Sequence, residues 1–151
     1  MLYSFTSHSA ADTQLFAQQI GERLKGGELI ELVSDLGGGK TTFMGGLAKG
    51  IGSKDEVSSP SYTLNNRYTG TRLSIEHFDF YRLRTAGVVA EELLEYVGDP
   101  SVVVAVEWGD IVHDVLPAAR VTITIRVSGE NSREITCEYP ASHSYLFGGK
   151  L

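Results

Sequence analysis

Cysteine is nearly absent from this chain, with Cys137 alone among 151 residues. One thiol excludes an internal disulfide and any multi-cysteine zinc site, and it reads as a half-buried strand residue rather than a reactive group. Long apolar runs are missing as well. No stretch approaches the roughly 18 residues of a membrane span, and the N-terminus lacks the basic and apolar stretches of a signal peptide. The expected compartment is therefore the cytosol. Basic residues are outnumbered, 13 Lys and Arg against 19 Asp and Glu, for a net charge of −6. A surface of that sign repels nucleic acid, which predicts no tight unaided binding to RNA or DNA. There is no internal repeat, low-complexity segment or interdomain linker. The reading is one domain over 1–140, followed by a loosely ordered aromatic tail over 141–151.

Glycine, by contrast, is concentrated where it matters. An apolar run, Glu31-Leu32-Val33, leads into Ser34-Asp35-Leu36-Gly37-Gly38-Gly39-Lys40-Thr41-Thr42 and then into a helical pattern. Strand, glycine-rich turn and helix in that order form the context of a phosphate-binding P-loop. The glycines let successive N–H groups converge on one point, and the helix adds the positive end of its dipole. Leu36, Gly37, Gly38, Gly39, Lys40, Thr41 and Thr42 are thus the expected triphosphate cradle, with Lys40 reaching the β- and γ-phosphates and Thr41 holding Mg²⁺. The first glycine of the usual pattern is Ser34 here; a left-handed serine would cost about 1–2 kcal/mol. A second Gly-Lys pair, Gly149-Lys150, has no helix behind it and is not a site.

The rest of the chain supplies the frame. Residues 2–6 read as a strand, Ser9 and Asp12 open a helix running to Leu24, and 28–33 form the strand before the P-loop. The P-loop helix spans 40–50. Two β runs, 62–68 and 72–80, follow a polar loop, and 88–97 reads as a helix. The continuous β-branched run 102–106 predicts a strand buried on both faces, and 120–127 with 132–138 a last hairpin. A hairpin between the P-loop helix and the buried strand predicts a mixed sheet: an α/β, three-layer P-loop NTPase-like sandwich, mostly parallel, with antiparallel hairpins.

Two acids stand out. Glu107 ends the buried strand, the position from which a carboxylate reaches Mg²⁺ beside a P-loop. Asp79 shares a strand face with Ile75 and His77 and reads as a functional acid near the triphosphate, whereas His77 reads as structural, and Tyr81 and Arg82 as structural or interfacial.

These motifs together resemble the TsaE (YjeE) family, the P-loop ATPases of tRNA threonylcarbamoyladenosine biosynthesis. Ser34 through Thr42, Ser59-Pro60-Ser61-Tyr62-Thr63-Leu64, His77-Phe78-Asp79-Phe80-Tyr81-Arg82-Leu83 and Glu107-Trp108 carry the resemblance, in order, between about Ser9 and Val127. It implies ATP hydrolysis with Mg²⁺ held by Thr41 and Glu107, Asp79 supporting the reaction beside Lys40, and Ser61 and Trp108 among the ATP contacts. It also implies work in a complex with the TsaD and TsaB proteins, which handle the tRNA. Ser61 stands where the family's switch has threonine. The resemblance points the adenine towards Ala10 and Arg133. Two rival classes share a P-loop: a small nucleotide or nucleoside kinase, whose arginine-rich lid is not evident here, and a nucleotide-sensing module.

Overall fold

A computed structural model describes residues 1–60, 64–85 and 87–149. Seven strands form one sheet in the order β1-β7-β6-β2-β5-β4-β3. They are β1 (Leu2–Ser7), β2 (Leu29–Val33), β3 (Asn65–Thr69), β4 (Ser74–Asp79), β5 (Val102–Glu107), β6 (Val121–Val127) and β7 (Arg133–Glu138). The centre is parallel, β6 with β2, β2 with β5 and β5 with β4. Antiparallel pairings add β7 and β1 on one flank and β3 on the other. This is the expected mixed sheet.

Helices α1 (Ala10–Gly21) and α2 (Lys40–Gly50) cover one face, and α3 (Gly87–Tyr96) packs on the other. Phe16, Ile20, Phe43 and Leu47 meet Ile30, Leu32, Val103 and Ala105 on the first face. Ala90 and Leu93 meet Phe78, Val104 and Val106 on the second. Helix α1 starts with a reciprocal cap: the Ser9 hydroxyl accepts from Asp12 N at 3.0 Å, and the Asp12 carboxylate accepts from His8 N at 3.0 Å. It ends at Gly21, three residues before the predicted Leu24, although the Leu24 side chain remains buried. Helices α1 and α2 approach so closely that a Cβ on Gly46 would lie 2.3 Å from the Gln14 carbonyl oxygen. Among the described residues no helix is long and apolar enough to cross a membrane.

The C-terminal segment corrects the sequence reading of a loose tail. Ala141–Leu146 form a 3-10 helix, Leu146 is fully buried, and Phe147 stacks on Tyr139 with ring centroids 4.3 Å apart. The Arg23 guanidinium donates to the Leu146 carbonyl at 3.0 Å, and the Tyr145 hydroxyl donates to the buried Glu28 carboxylate at 2.6 Å. Polar anchors of this kind, made to residues more than a hundred positions away, leave no trace in local sequence pattern.

Candidate functional site

Parallel strands β2, β5 and β4 point their C-terminal ends the same way, so the loops leaving them gather at one edge of the sheet. Glu107 is level with Leu32 of β2 and with Asp79 of β4. The loop leaving β2 one residue later is the glycine-rich segment. A cleft of about 360 Å3 results, lined by Leu36 to Thr42, Ser59, Asp79, Tyr81, Glu107 and Trp108.

The loop adopts left-handed backbone at Gly37 (φ 73°) and Gly39 (φ 111°), but not at Ser34. The strain expected of a serine at that position therefore does not arise. Instead the Ser34 hydroxyl fills the space in front of Gly38, where a Cβ would lie 1.6 Å from Oγ. The Asp35 carbonyl oxygen, 2.9 Å from the same point, crowds residue 38 from the backbone side as well. Lys40 opens α2 and is 8% exposed. Its Nζ donates to the carbonyls of Ser34 at 3.1 Å and Asp35 at 3.4 Å and lies 5.0 Å from the centre of the Trp108 ring. The ammonium is thus held over the loop at the mouth of α2. A second cation braces the loop from outside, with Arg133 Nε donating to the Gly38 carbonyl at 3.1 Å.

The two acids are buried at 3% exposure each and occupy register-paired positions on neighbouring strands. Asp79 accepts from Tyr81 N at 2.9 Å and from the Ser59 hydroxyl at 3.4 Å. Glu107 accepts from His77 Nε2 at 3.1 Å. Both backbone turns beside these acids are constrained: among the described residues, Trp108 (φ 55°) and Leu64 (φ 64°), whose carbonyl accepts from Asp79 N at 3.0 Å, are the non-glycine residues with positive φ. Bulky side chains there cost about 1–2 kcal/mol each, strain of the kind that concentrates at functional sites.

The structure therefore brings Leu36 to Thr42, Asp79, Glu107 and Trp108 into one cleft. Ser61 lies outside the described residues, as do Tyr62 and Thr63. His77 is fully buried between Tyr68 and Glu107, consistent with the structural reading. Burial also raises the pKa of the Tyr68 phenol, keeping it protonated. Tyr81, read as structural or interfacial, lines the cleft with its ring 5.0 Å from that of Trp108. The motif containing it was visible in sequence, but its direction was not. A smaller cavity of about 100 Å3 adjoins the loop's other flank, between Ser9, Ala10 and Thr13 and the turn carrying Glu130, Asn131 and Arg133, with Gly39 and Thr42 common to both. Ala10 and Arg133 thus share one cavity. Cys137 is buried, with its thiol pushed up to about 12 by loss of solvent, and is inert.

The chain is similar to known proteins over most of its length. The chain is 39% identical to the tRNA threonylcarbamoyladenosine biosynthesis protein TsaE of Treponema pallidum (strain Nichols), over 86% of this chain and 96% of that one. It is 35% identical to the Bacillus subtilis (strain 168) protein of the same name, over 83% of this chain and 78% of that one. The fold matches a crystal structure of Bacillus subtilis YdiB with a TM-score of 0.79 at 29% identity, over 97% of this chain and 92% of that chain. The family described as Threonylcarbamoyl adenosine biosynthesis protein TsaE matches residues 7–135, and the chain belongs to that family.

Proposed function

We propose that this chain is an Mg²⁺-dependent ATPase that drives threonylcarbamoyladenosine formation in tRNA, in complex with TsaD and TsaB. The observation that carries the reading is the cleft in which Lys40 and Thr41 open a helix opposite two buried, register-paired carboxylates, Asp79 and Glu107. Two carboxylates side by side with little solvent repel one another, and a hard divalent cation relieves that repulsion. The cleft offers the Thr41 hydroxyl and the carboxylates of Asp79 and Glu107 as oxygen donors. That suits Mg²⁺, which is commonly held by one or two carboxylates together with substrate phosphates. Thr41 and Glu107 would hold the ion, which would neutralise charge on the phosphate oxygens.

The chain's own residues supply the remainder. The N–H groups of residues 37–42 and the Lys40 ammonium bind and orient the phosphates. Asp79, fixed through Tyr81 N and Ser59, is placed to orient an attacking water. Trp108 and Tyr81 wall the cleft against solvent. The cavity shared by Ala10 and Arg133 supports placing the base on the loop's far flank, with Thr42 between base and phosphates. A net charge of −6 supports leaving the tRNA to partner proteins.

The test is phosphate release by the chain alone and with TsaD and TsaB, together with co-elution in ATP-analogue, ADP and nucleotide-free buffers and a tRNA gel shift. The expected result is free phosphate, nucleotide-dependent co-elution and no shift by the isolated chain. Phosphate appearing on a nucleoside acceptor instead would favour the kinase class. Binding of nucleotide without hydrolysis under any condition would favour a sensing module.

A further inference from the structure

His77 carries no role in the proposed chemistry, yet it is the most enclosed polar side chain near the cleft. It is 0% exposed, and both ring nitrogens are engaged. Nε2 lies 3.1 Å from Glu107 Oε1, and Nδ1 lies 3.3 Å from the Tyr68 hydroxyl. That hydroxyl in turn lies 2.9 Å from the Ser58 carbonyl oxygen. The next residue, Ser59, donates its hydroxyl to Asp79. Two consecutive residues of one loop thus lie beside the two cleft carboxylates: Ser59 bonds Asp79 directly, and the Ser58 carbonyl lies within reach of the Tyr68 hydroxyl, which also sits beside the His77 ring that holds Glu107.

From this geometry we propose that His77 is a positioning residue that fixes the Glu107 carboxylate, and that Tyr68 couples it to the loop at Ser58. The inference rests on the nucleotide-binding reading above. With Oε1 engaged by His77, the other carboxylate oxygen is left for a ligand in the cleft that Glu107 lines. Where Glu107 Oε1 accepts from the ring, Nε2 carries the hydrogen. In a neutral ring Nδ1 is then an acceptor, and the single Tyr68 proton can serve either it or the Ser58 carbonyl, not both. Ser58 has a second donor in reach, Asn66 Nδ2 at 3.3 Å. A shift of the loop at Ser58 therefore decides whether Tyr68 locks the His77 tautomer that holds Glu107. Partners of this outer kind orient ligands, and their loss costs about 10- to 100-fold in metal affinity.

The test measures Mn²⁺ affinity by electron paramagnetic resonance, on full-length protein loaded with a non-hydrolysable ATP analogue, alongside metal-free nucleotide affinity and thermal melting. His77→Asn keeps a polar group near Tyr68 but cannot reach Glu107, and is expected to weaken Mn²⁺ about 10- to 100-fold with metal-free nucleotide affinity unchanged. His77→Gln places an amide near the Nε2 position and is expected to restore most of that affinity. Tyr68→Phe, which keeps the packing and removes only the hydroxyl, is expected to lower Mn²⁺ affinity in the same direction by less. In a Glu107→Gln background neither His77→Asn nor Tyr68→Phe should weaken the metal further. Unchanged Mn²⁺ affinity in folded His77→Asn and Tyr68→Phe, or losses that add fully to that of Glu107→Gln, would overturn the inference alone. Failure of the unaltered chain to bind the nucleotide at all would overturn the nucleotide reading and this inference with it.

Discussion

Two adjacent glycines of α2 should respond to the same substitution with opposite sign. At Gly46 an added Cβ would sit 2.3 Å from the Gln14 carbonyl oxygen, 2.5 Å from the Ala17 Cβ and 3.0 Å from Gln18 N. Carbon contacts normally settle near about 3.5–4.0 Å, so α1 must retreat by about 1 Å. Both helices are pinned to the sheet through Phe16, Ile20, Phe43 and Leu47, and overpacking of this kind costs about 2–3 kcal/mol. Alanine recovers about 1 kcal/mol of helix propensity. The net loss for Gly46→Ala is about 1–2 kcal/mol, a fall of about 2–8 °C in Tm for a domain of this size. At Gly45 the Cβ would meet only the amide end of the Gln14 side chain, at 3.2 Å, which can move aside. Gly45→Ala should therefore keep most of the propensity gain and raise Tm by up to about 4 °C. Calorimetry on the two variants decides the matter. Equal shifts, or a Gly46→Ala protein as stable as the unaltered chain, would falsify the close α1–α2 contact.

Three further expectations concern the cleft and the C-terminus. Lys40→Ala should lower triphosphate affinity at least tenfold, about 1.4 kcal/mol, in calorimetric titration, because it removes the cation at the mouth of α2; unchanged affinity would remove the P-loop as the site. Glu107→Gln keeps the shape but loses the charge, and should slow hydrolysis most at limiting Mg²⁺ while leaving the urea midpoint nearly unchanged. Normal rates there would refute the metal assignment. Leu146→Ala should cost about 2–5 kcal/mol in urea denaturation if the C-terminal turn belongs to the core, whereas a loose tail would give no loss.

The sequence by itself determined much of this protein. Residues 31–42 specify strand, loop and helix through patterns that close within a few residues, because glycine geometry, a lysine at a helix start and an apolar run act locally. The same holds for the Ser9 cap, for α2, whose limits at residues 40 and 50 match the structure, and for the buried β5 with Glu107 at its end. Tertiary structure alone decided what depends on distant partners. The C-terminal turn that buries Leu146 is anchored by Arg23 and Glu28 on the far side of the chain. It alone placed Asp79 level with Glu107, since a hydrogen-bond register between β4 and β5 is set across the whole sheet. His77 shows the division within one side chain. Strand alternation put it on the face of Asp79, but only the packing of β3 and β5 against β4 brought Tyr68 to one ring nitrogen and Glu107 to the other. Local pattern states which way a residue faces; what it meets there depends on contacts whose energy is realised only once the sheet has closed.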